Sequence, residues 1–496
     1  MSPIFILIAI LLPILGGAII PLFHFEKGTN REKYVISVVL LTSVLVFFML
    51  FNRPEGTLTV VPLSSSISIA FRIDGLSMVF GGLLAGLWPL ASCFAFEYMK
   101  HEGKENTFFT YYTMTYGVAL GVAFSANLIT MYLCYELLTL ITLPIIMHAM
   151  DEKAIHAGRK YLIYSIAGAA FAFMGVMVLY AAAGTTDFTF GGLLTKGNVG
   201  MNENWLLIAY LVAFLGFGVK AAVFPFHGWL PTAGVAPTPV TALLHAVAVV
   251  KAGVFAIIRV TYYGFGTDFL SGTWAHYVVA SLAIITIVFG SSMAVKEQHL
   301  KRRLAYSTVS NLSYILLGVT MMTPEGLAAG LAHMIFHGVM KICLFFCAGA
   351  IMYKTHREFV YQIKGFGRKM PVTMACFAIG SLALVGVPGL CGFVSKYSLA
   401  IAAIDTVKEG TIGMVGVLGV VALMISAILT AIYLFTIVIK AYFPGADFDY
   451  NTIANVEDPN YYMKAPLIIL CVVMLIFGLH SAPLLTFFRS VATGLI

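Results

Sequence analysis

The sequence predicts an all-α polytopic membrane protein. Hydrophobic residues make up 60% of the 496 positions and charged residues only 10%, with a mean hydropathy of +0.94. Apolar runs recur from end to end, each near the ~20 residues that a helix needs to cross a hydrocarbon core of about 30 Å. A soluble chain of this length would need several domains and a far more charged surface.

Taken in order, fourteen spans are predicted, at 3–23, 34–51, 73–96, 107–125, 128–149, 161–183, 206–233, 238–260, 274–295, 304–322, 328–352, 372–403, 412–439 and 464–488. The first has no basic stretch ahead of it and no small-residue cleavage site, so it reads as a spanning helix rather than a removed signal peptide. The seventh and twelfth are broken, at Pro225 and at Pro388 with its flanking glycines. Proline removes a backbone donor and interrupts the helical ladder. The polar stretches 52–72, 184–205 and 441–463 read as loops, and none is long enough to separate two domains. One integral membrane domain is therefore expected: N-terminal helices over 1–106, a helix set over 107–260, a second over 274–440, and a last helix over 464–488.

All seven cysteines lie in apolar runs without CxxC, zinc or iron–sulfur spacing, which points to packing. No Walker or Rossmann glycine pattern and no haem ligation pattern occurs, so no cofactor is expected. The net charge of +7 is explained by topology rather than by a nucleic-acid partner. Loops after odd-numbered spans hold 19 Lys and Arg; loops after even-numbered spans and the C-terminal tail hold 6. The positive-inside rule then puts the odd loops in the cytoplasm and both termini outside it.

Four basic residues remain, Lys220, Lys251, Lys341 and Lys396, and one carboxylate, Glu136, sits well inside a span. Ionisable groups at this depth cost roughly 2.5–3.5 kcal/mol on insertion scales and are usually paired, wetted or functional. Glu136 lies nine residues into its helix, about 13 Å deep at ~1.5 Å per residue. A carboxylate there favours its neutral form unless a cation faces it. It reads as a structural ion pair or as the partner of a lysine. Lys220 precedes Pro225 by five residues, and irregular backbone at membrane depth survives where protein or water satisfies it. A buried amine releases its proton more readily, and an approaching carboxylate reverses that, so Lys220 reads as a proton-loading site.

Lys251 is too deep to snorkel easily. His245 precedes it by six residues, about 240° around an α-helix, so the two do not share a face. In LAHMIFHGVMKICLFFCAGA, His333, His337 and Lys341 follow at i, i+4 and i+8 on one face. Metal binding would need a further ligand, and the HExxH pattern is absent. A proton relay and helix–helix hydrogen bonding are the two readings of that stripe. Lys396 follows the second break, with snorkelling as its alternative. Broken helices in corresponding positions suggest inverted repeats, with spans 4–8 laid over spans 9–13.

YELLTLITLP, GFGVKAAVFPFHGWLP, APTPVTALLHAVAVVKAG, HMIFHGVMKICLFFCAG and PGLCGFVSKY together resemble the antiporter-like membrane subunits of Mrp-type cation/proton antiporters, respiratory complex I and membrane-bound group 4 hydrogenases. The resemblance implies a fourteen-helix fold with two inverted five-helix repeats, each a half-channel, joined by a polar axis. It matches Glu136 and Lys220 to the family's paired glutamate and lysine, and Lys251 to the central lysine of the eighth span. It matches His333, His337 and Lys341 to the polar stripe of the eleventh span and Lys396 to the terminal lysine of the twelfth. Length and charge set resemble the Mrp D-type subunit and its hydrogenase relatives. The chain closes soon after its last span, so no long lateral helix is expected, while His245 beside Lys251 departs from the D-type pattern. The expected function is proton translocation through this axis within a larger complex. Expected partners are the bilayer, H⁺ and Na⁺, a second antiporter-like chain and small membrane subunits. The alternative is the pumping arm of a redox enzyme whose redox subunits lie elsewhere, and a scaffold with a dead channel is the bland reading.

Overall fold

In a computed structural model, residues 2–23, 25, 28–64, 66–197, 201–408 and 413–494 are described. Lys27, counted among the loop cations, and the first residue of the 412–439 span lie outside them. Helices account for most of the chain: α1 (Ile4–Ile19), α2 (Gly28–Asn52), α3 (Gly75–Glu102), α4 (Glu105–Ala123), α5 (Leu128–Ile146), α6 (Glu152–Ala183), α7 (Glu203–Lys220) and α8 (Thr238–Phe265). They continue as α9 (Trp274–Lys296), α10 (Leu300–Thr320), α11 (Pro324–Thr355), α12 (Pro371–Val385), α13 (Cys391–Lys408), α14 (Met414–Tyr442), α15 (Tyr461–Leu479) and α16 (Ala482–Ala492). Among the described residues, eleven helices are long and apolar enough to cross a membrane. The other three predicted stretches, carried by α4, α10 and the α12–α13 pair, are helical as well.

Helix starts are set by side chains that satisfy the first free backbone donors. Asp74, Asn127, Asp151, Thr273 and Thr323 cap α3, α5, α6, α9 and α11 in this way. Gly184 closes α6 in the left-handed region, where the absence of a Cβ removes the penalty.

Two of these helices are the most enclosed. The apolar stretch of α8 is wholly buried and that of α11 almost so, while the peripheral helices leave half or more of theirs uncovered. α8 is also irregular, with π-helical turns at Leu243–Val247 and Arg259–Phe265. Such turns widen the backbone spiral and frequently mark functional sites.

Both predicted breaks are present, with a shift in the first. α7 ends at Lys220 itself rather than at Pro225, and Ala222 adopts a left-handed conformation. Proline disfavours helical geometry in the residue before it, so the disruption spreads back along the chain. Side chains then take up the freed backbone groups: Trp229 Nε1 donates to Val219 O (2.7 Å), and Thr286 Oγ1 accepts from Phe224 N (3.0 Å). In the second break α12 ends at Val385, Gly386 and Gly389 take positive φ, and α13 resumes at Cys391.

Two further features differ from the sequence reading. The predicted last span is divided between α15 and α16, because Pro483 at the start of α16 cannot continue the α15 ladder. The polar 52–72 stretch forms an antiparallel hairpin, Leu58–Pro62 with Ser68–Phe71.

Candidate functional site

Lys220 is the last residue of α7, and its fully buried amine lies 3.6 Å from Glu136 Oε1 on α5. It also donates to the Tyr135 carbonyl and sits 3.3 Å from the Tyr135 ring centroid. Glu136 is not fully enclosed; a quarter of its side chain is exposed. The carboxylate therefore faces the lysine from the rim of the bundle.

The α8 backbone passes directly over this turn. A Cβ on Gly253 would sit 2.5 Å from Ala221 N and 3.0 Å from Lys220 Cβ, so only glycine allows this approach. Two residues earlier, Lys251 Nζ lies 2.6 Å from His337 Nδ1 on α11. Both side chains are completely buried. The His337 and His333 rings stack with centroids 5.8 Å apart. His333 in turn meets Ser395 Oγ at 2.9 Å and Asn311 Oδ1 at 3.3 Å. Ser395 adjoins Lys396, whose amine donates to Leu384 O (2.6 Å) and Val385 O (3.1 Å), the carbonyls freed by the second break. The Tyr314 ring lies 5.2 Å from the same amine.

Polar side chains thus run from Glu136 and Lys220, past Gly253, to Lys251, His337, His333 and Lys396. Two predicted members stand beside this line. Lys341 shares the α11 face, yet its amine donates to Leu304 O on α10 at 2.9 Å. His245 lies in the first π-helical turn, its ring 5.0 Å from Phe345, and neither ring nitrogen has a protein partner. Lys251 thus reaches the α11 stripe by direct contact with His337, while the His245 ring makes no hydrogen bond within the protein.

Residues 125–409 match the family described as NADH:quinone oxidoreductase/Mrp antiporter, TM, which is more than half of the chain. The chain belongs to that family. Residues 61–109 additionally match the family of the complex I chain 5 N-terminus. The chain is 29% identical over 491 residues to the A-type subunit of the Na(+)/H(+) antiporter of Alkalihalophilus pseudofirmus, covering 94% of this chain and 60% of that one. It is 30% identical over 449 residues to NAD(P)H-quinone oxidoreductase chain 4 1 of Synechococcus elongatus, covering 88% of this chain and 81% of the relative. It thus spans less than two thirds of the length of its A-type antiporter relative. A chain of the membrane-bound sulfane sulfur reductase, an archaeal respiratory membrane complex, shares the fold with a TM-score of 0.86 at 22% identity, covering 99% of this chain and 97% of that one. The protein is an antiporter-like, multi-pass membrane subunit of the NADH:quinone oxidoreductase/Mrp antiporter family.

For this member of the antiporter-like family, residue arithmetic missed several buried charges. Arg259, counted above as a loop cation, is completely buried in the second π-helical turn. It holds Asp74 through two bonds of 2.6 and 2.7 Å and Ser77 Oγ at 3.0 Å, with Phe188, Phe255 and Tyr263 around the guanidinium. The signal was available: apolar sequence continues past Arg259 as VTYYGF. Lys301 and Arg303, also counted in a loop, are buried in the first turn of α10. The corrections remove cations from both sides of the loop count, so its bias persists.

Proposed function

We propose that the chain is the proton-translocating subunit of a multisubunit ion-pumping membrane complex, of the kind represented by the D-type subunit of Mrp Na⁺/H⁺ antiporters. One observation carries the reading: Lys251 and His337, both fully buried, are within hydrogen-bond distance between two broken helices that each present a lysine. An amine facing an imidazole is suited to passing a proton, since each group exists as donor and as acceptor.

Protons enter from the cytoplasm towards Lys220, cross at Gly253 to Lys251, and continue through His337 and His333 to leave by Lys396. Retreat or approach of Glu136 loosens or tightens the hold of Lys220 on its proton. In this reading the odd-numbered loops are cytoplasmic, both termini lie outside the cytoplasm of the cell membrane, and fourteen spans build two inverted five-helix repeats over 107–260 and 274–440. The paired helix breaks support that arrangement. Lys220→Ala and Glu136→Ala should each abolish ΔpH-linked transport in vesicles containing the assembled complex. If both variants transport normally, the mechanism is wrong.

A second reading makes the chain a pumping arm of a redox-driven complex. It is favoured by the similarity to a quinone oxidoreductase chain and by the presence of His245.

A further inference from the structure

His333 and His337 sit one turn apart on α11, and their surroundings differ. Lys251 meets His337 at Nδ1, and the buried Nε2 of that ring has no protein partner. His333 has a partner at each nitrogen: Ser395 Oγ lies 2.9 Å from Nδ1, and Asn311 Oδ1 lies 3.3 Å from Nε2. His333, Ser395 and Asn311 are all buried.

These partners fix the ring. Asn311 Nδ2 donates to Ser307 O at 2.8 Å, one turn back on α10. A carbonyl oxygen only accepts, so the NH₂ end of the amide must face Ser307 and the amide oxygen must face the imidazole. That oxygen has no hydrogen to offer, so Nε2 carries the hydrogen of the neutral ring and Nδ1 keeps the lone pair. The Ser395 hydroxyl donates to Nδ1. It has a second acceptor in the Gly392 carbonyl at 3.3 Å.

We infer that Asn311 is a positioning residue: it holds His333 in the Nε2–H tautomer, so that the ring gains and loses a proton at Nδ1 alone, on its α13 side. A proton gained at Nδ1 makes an N–H that donates to Ser395 Oγ, and the hydroxyl hydrogen turns to Gly392 O. Loss of that proton reverses both changes. Only N–H bonds form or break at the ring, which ends as it began. His333 is therefore a holding point for one proton and not a conduit between its two nitrogens. The inference deepens the proton-translocating reading above and rests on it.

The first test is spectroscopic and uses the intact complex with ¹⁵N-labelled histidine. His333 is the signal that His333→Gln removes, and solid-state NMR reports which ring nitrogen carries the hydrogen. The neutral ring should carry it on Nε2; a hydrogen on Nδ1 would overturn the proposal. Asn311→Leu keeps the volume, loses the oxygen and should give a mixture of tautomers, and a ring still held as Nε2–H would also overturn it.

The second test follows ΔpH-linked transport in proteoliposomes with a pH-sensitive dye over a pH series. The titratable groups around His333 are Tyr314 on α10 (centroid 5.2 Å), His337 on α11 (5.8 Å), Lys396 on α13 and Lys251 on α8, with no carboxylate among the described neighbours. Asn311→Asp places an anion against Nε2 and favours the doubly protonated ring, which then needs a higher pH to release its proton. The transport profile should move up by about one pH unit or more. A rate lowered equally at every pH marks a merely structural asparagine and would overturn the positioning role. If Asn311→Asp fails to assemble, the tautomer of the parent complex decides alone. Lys251→Met separates the two readings. Normal transport in Lys251→Met removes the translocating axis, whereas loss of transport there with an unshifted Asn311→Asp profile removes only the role of Asn311.

Discussion

At the scale of single residues, the cost of a charge depends on what is left behind when its partner goes. Arg259 is wholly enclosed and Asp74 largely so, and the two are joined by two hydrogen bonds. Truncating either one strands the other. Arg259→Ala or Asp74→Ala should each destabilise the purified complex by about 3 kcal/mol, at the low end for a buried pair because Asp74 keeps some solvent contact. The double variant should cost less than the sum of the two, read as thermal midpoints in a double-mutant cycle. Only half of this pair was legible in the sequence. Asp74 looks like an ordinary cap before an apolar run, whereas apolar residues continue past Arg259 as VTYYGF. By contrast Glu136, Lys220, Lys251, His333 and His337 stood out because apolar sequence flanks them on both sides. Their pairing across helices was beyond reach, since it depends on which faces meet.

At the scale of elements, breaks and close approaches set the site. α13 begins so near the end of α12 that a Cβ on Gly392 would collide with Ala383 O and lie 3.0 Å from Met340 Sδ. Gly392→Ala must therefore push the two half-helices apart and draw Leu384 O and Val385 O away from the Lys396 amine. Transport should fall about ten-fold, while Gly86→Ala, whose Cβ meets only Phe47 at 3.9 Å, should behave as wild type in the same vesicle assay. Proline and glycine announced both breaks in the sequence. The point where α7 ends was not legible, because Pro225 acts on residues before it and the tertiary partners Thr286 and Trp229 decide how far back the helix unwinds. The π-helical turns of α8 were equally hidden. Periodicity arithmetic at 100° per residue assumes that they are absent, which is why it could not place His245 against Phe345.

At the scale of the whole molecule, composition and run length carried the class, because a chain with so few charges and recurrent apolar runs of about 20 residues satisfies its backbone in lipid as helices. Burial sorted the helices further, with α8 and α11 enclosed and α1, α2, α14 and α15 presenting broad apolar flanks. Affinity purification of this chain from native membranes should bring down other membrane subunits, identified by mass spectrometry. A second large antiporter-like chain with small membrane subunits would place it in an Mrp-type assembly, and iron–sulfur or flavin subunits would place it in a redox-driven one. Recovery of this chain alone would contradict both.

The contact between Lys251 and His337 sets a limit on counting. At 2.6 Å one of the two nitrogens must offer a hydrogen and the other a lone pair, so the pair is saturated by a single mobile hydrogen between them. A second one would place two positive charges almost in touch inside a closed interior. On the proposed route the junction would act as a turnstile: whatever drives the flow, passage through this point would be one at a time, and arrivals from either side would wait their turn.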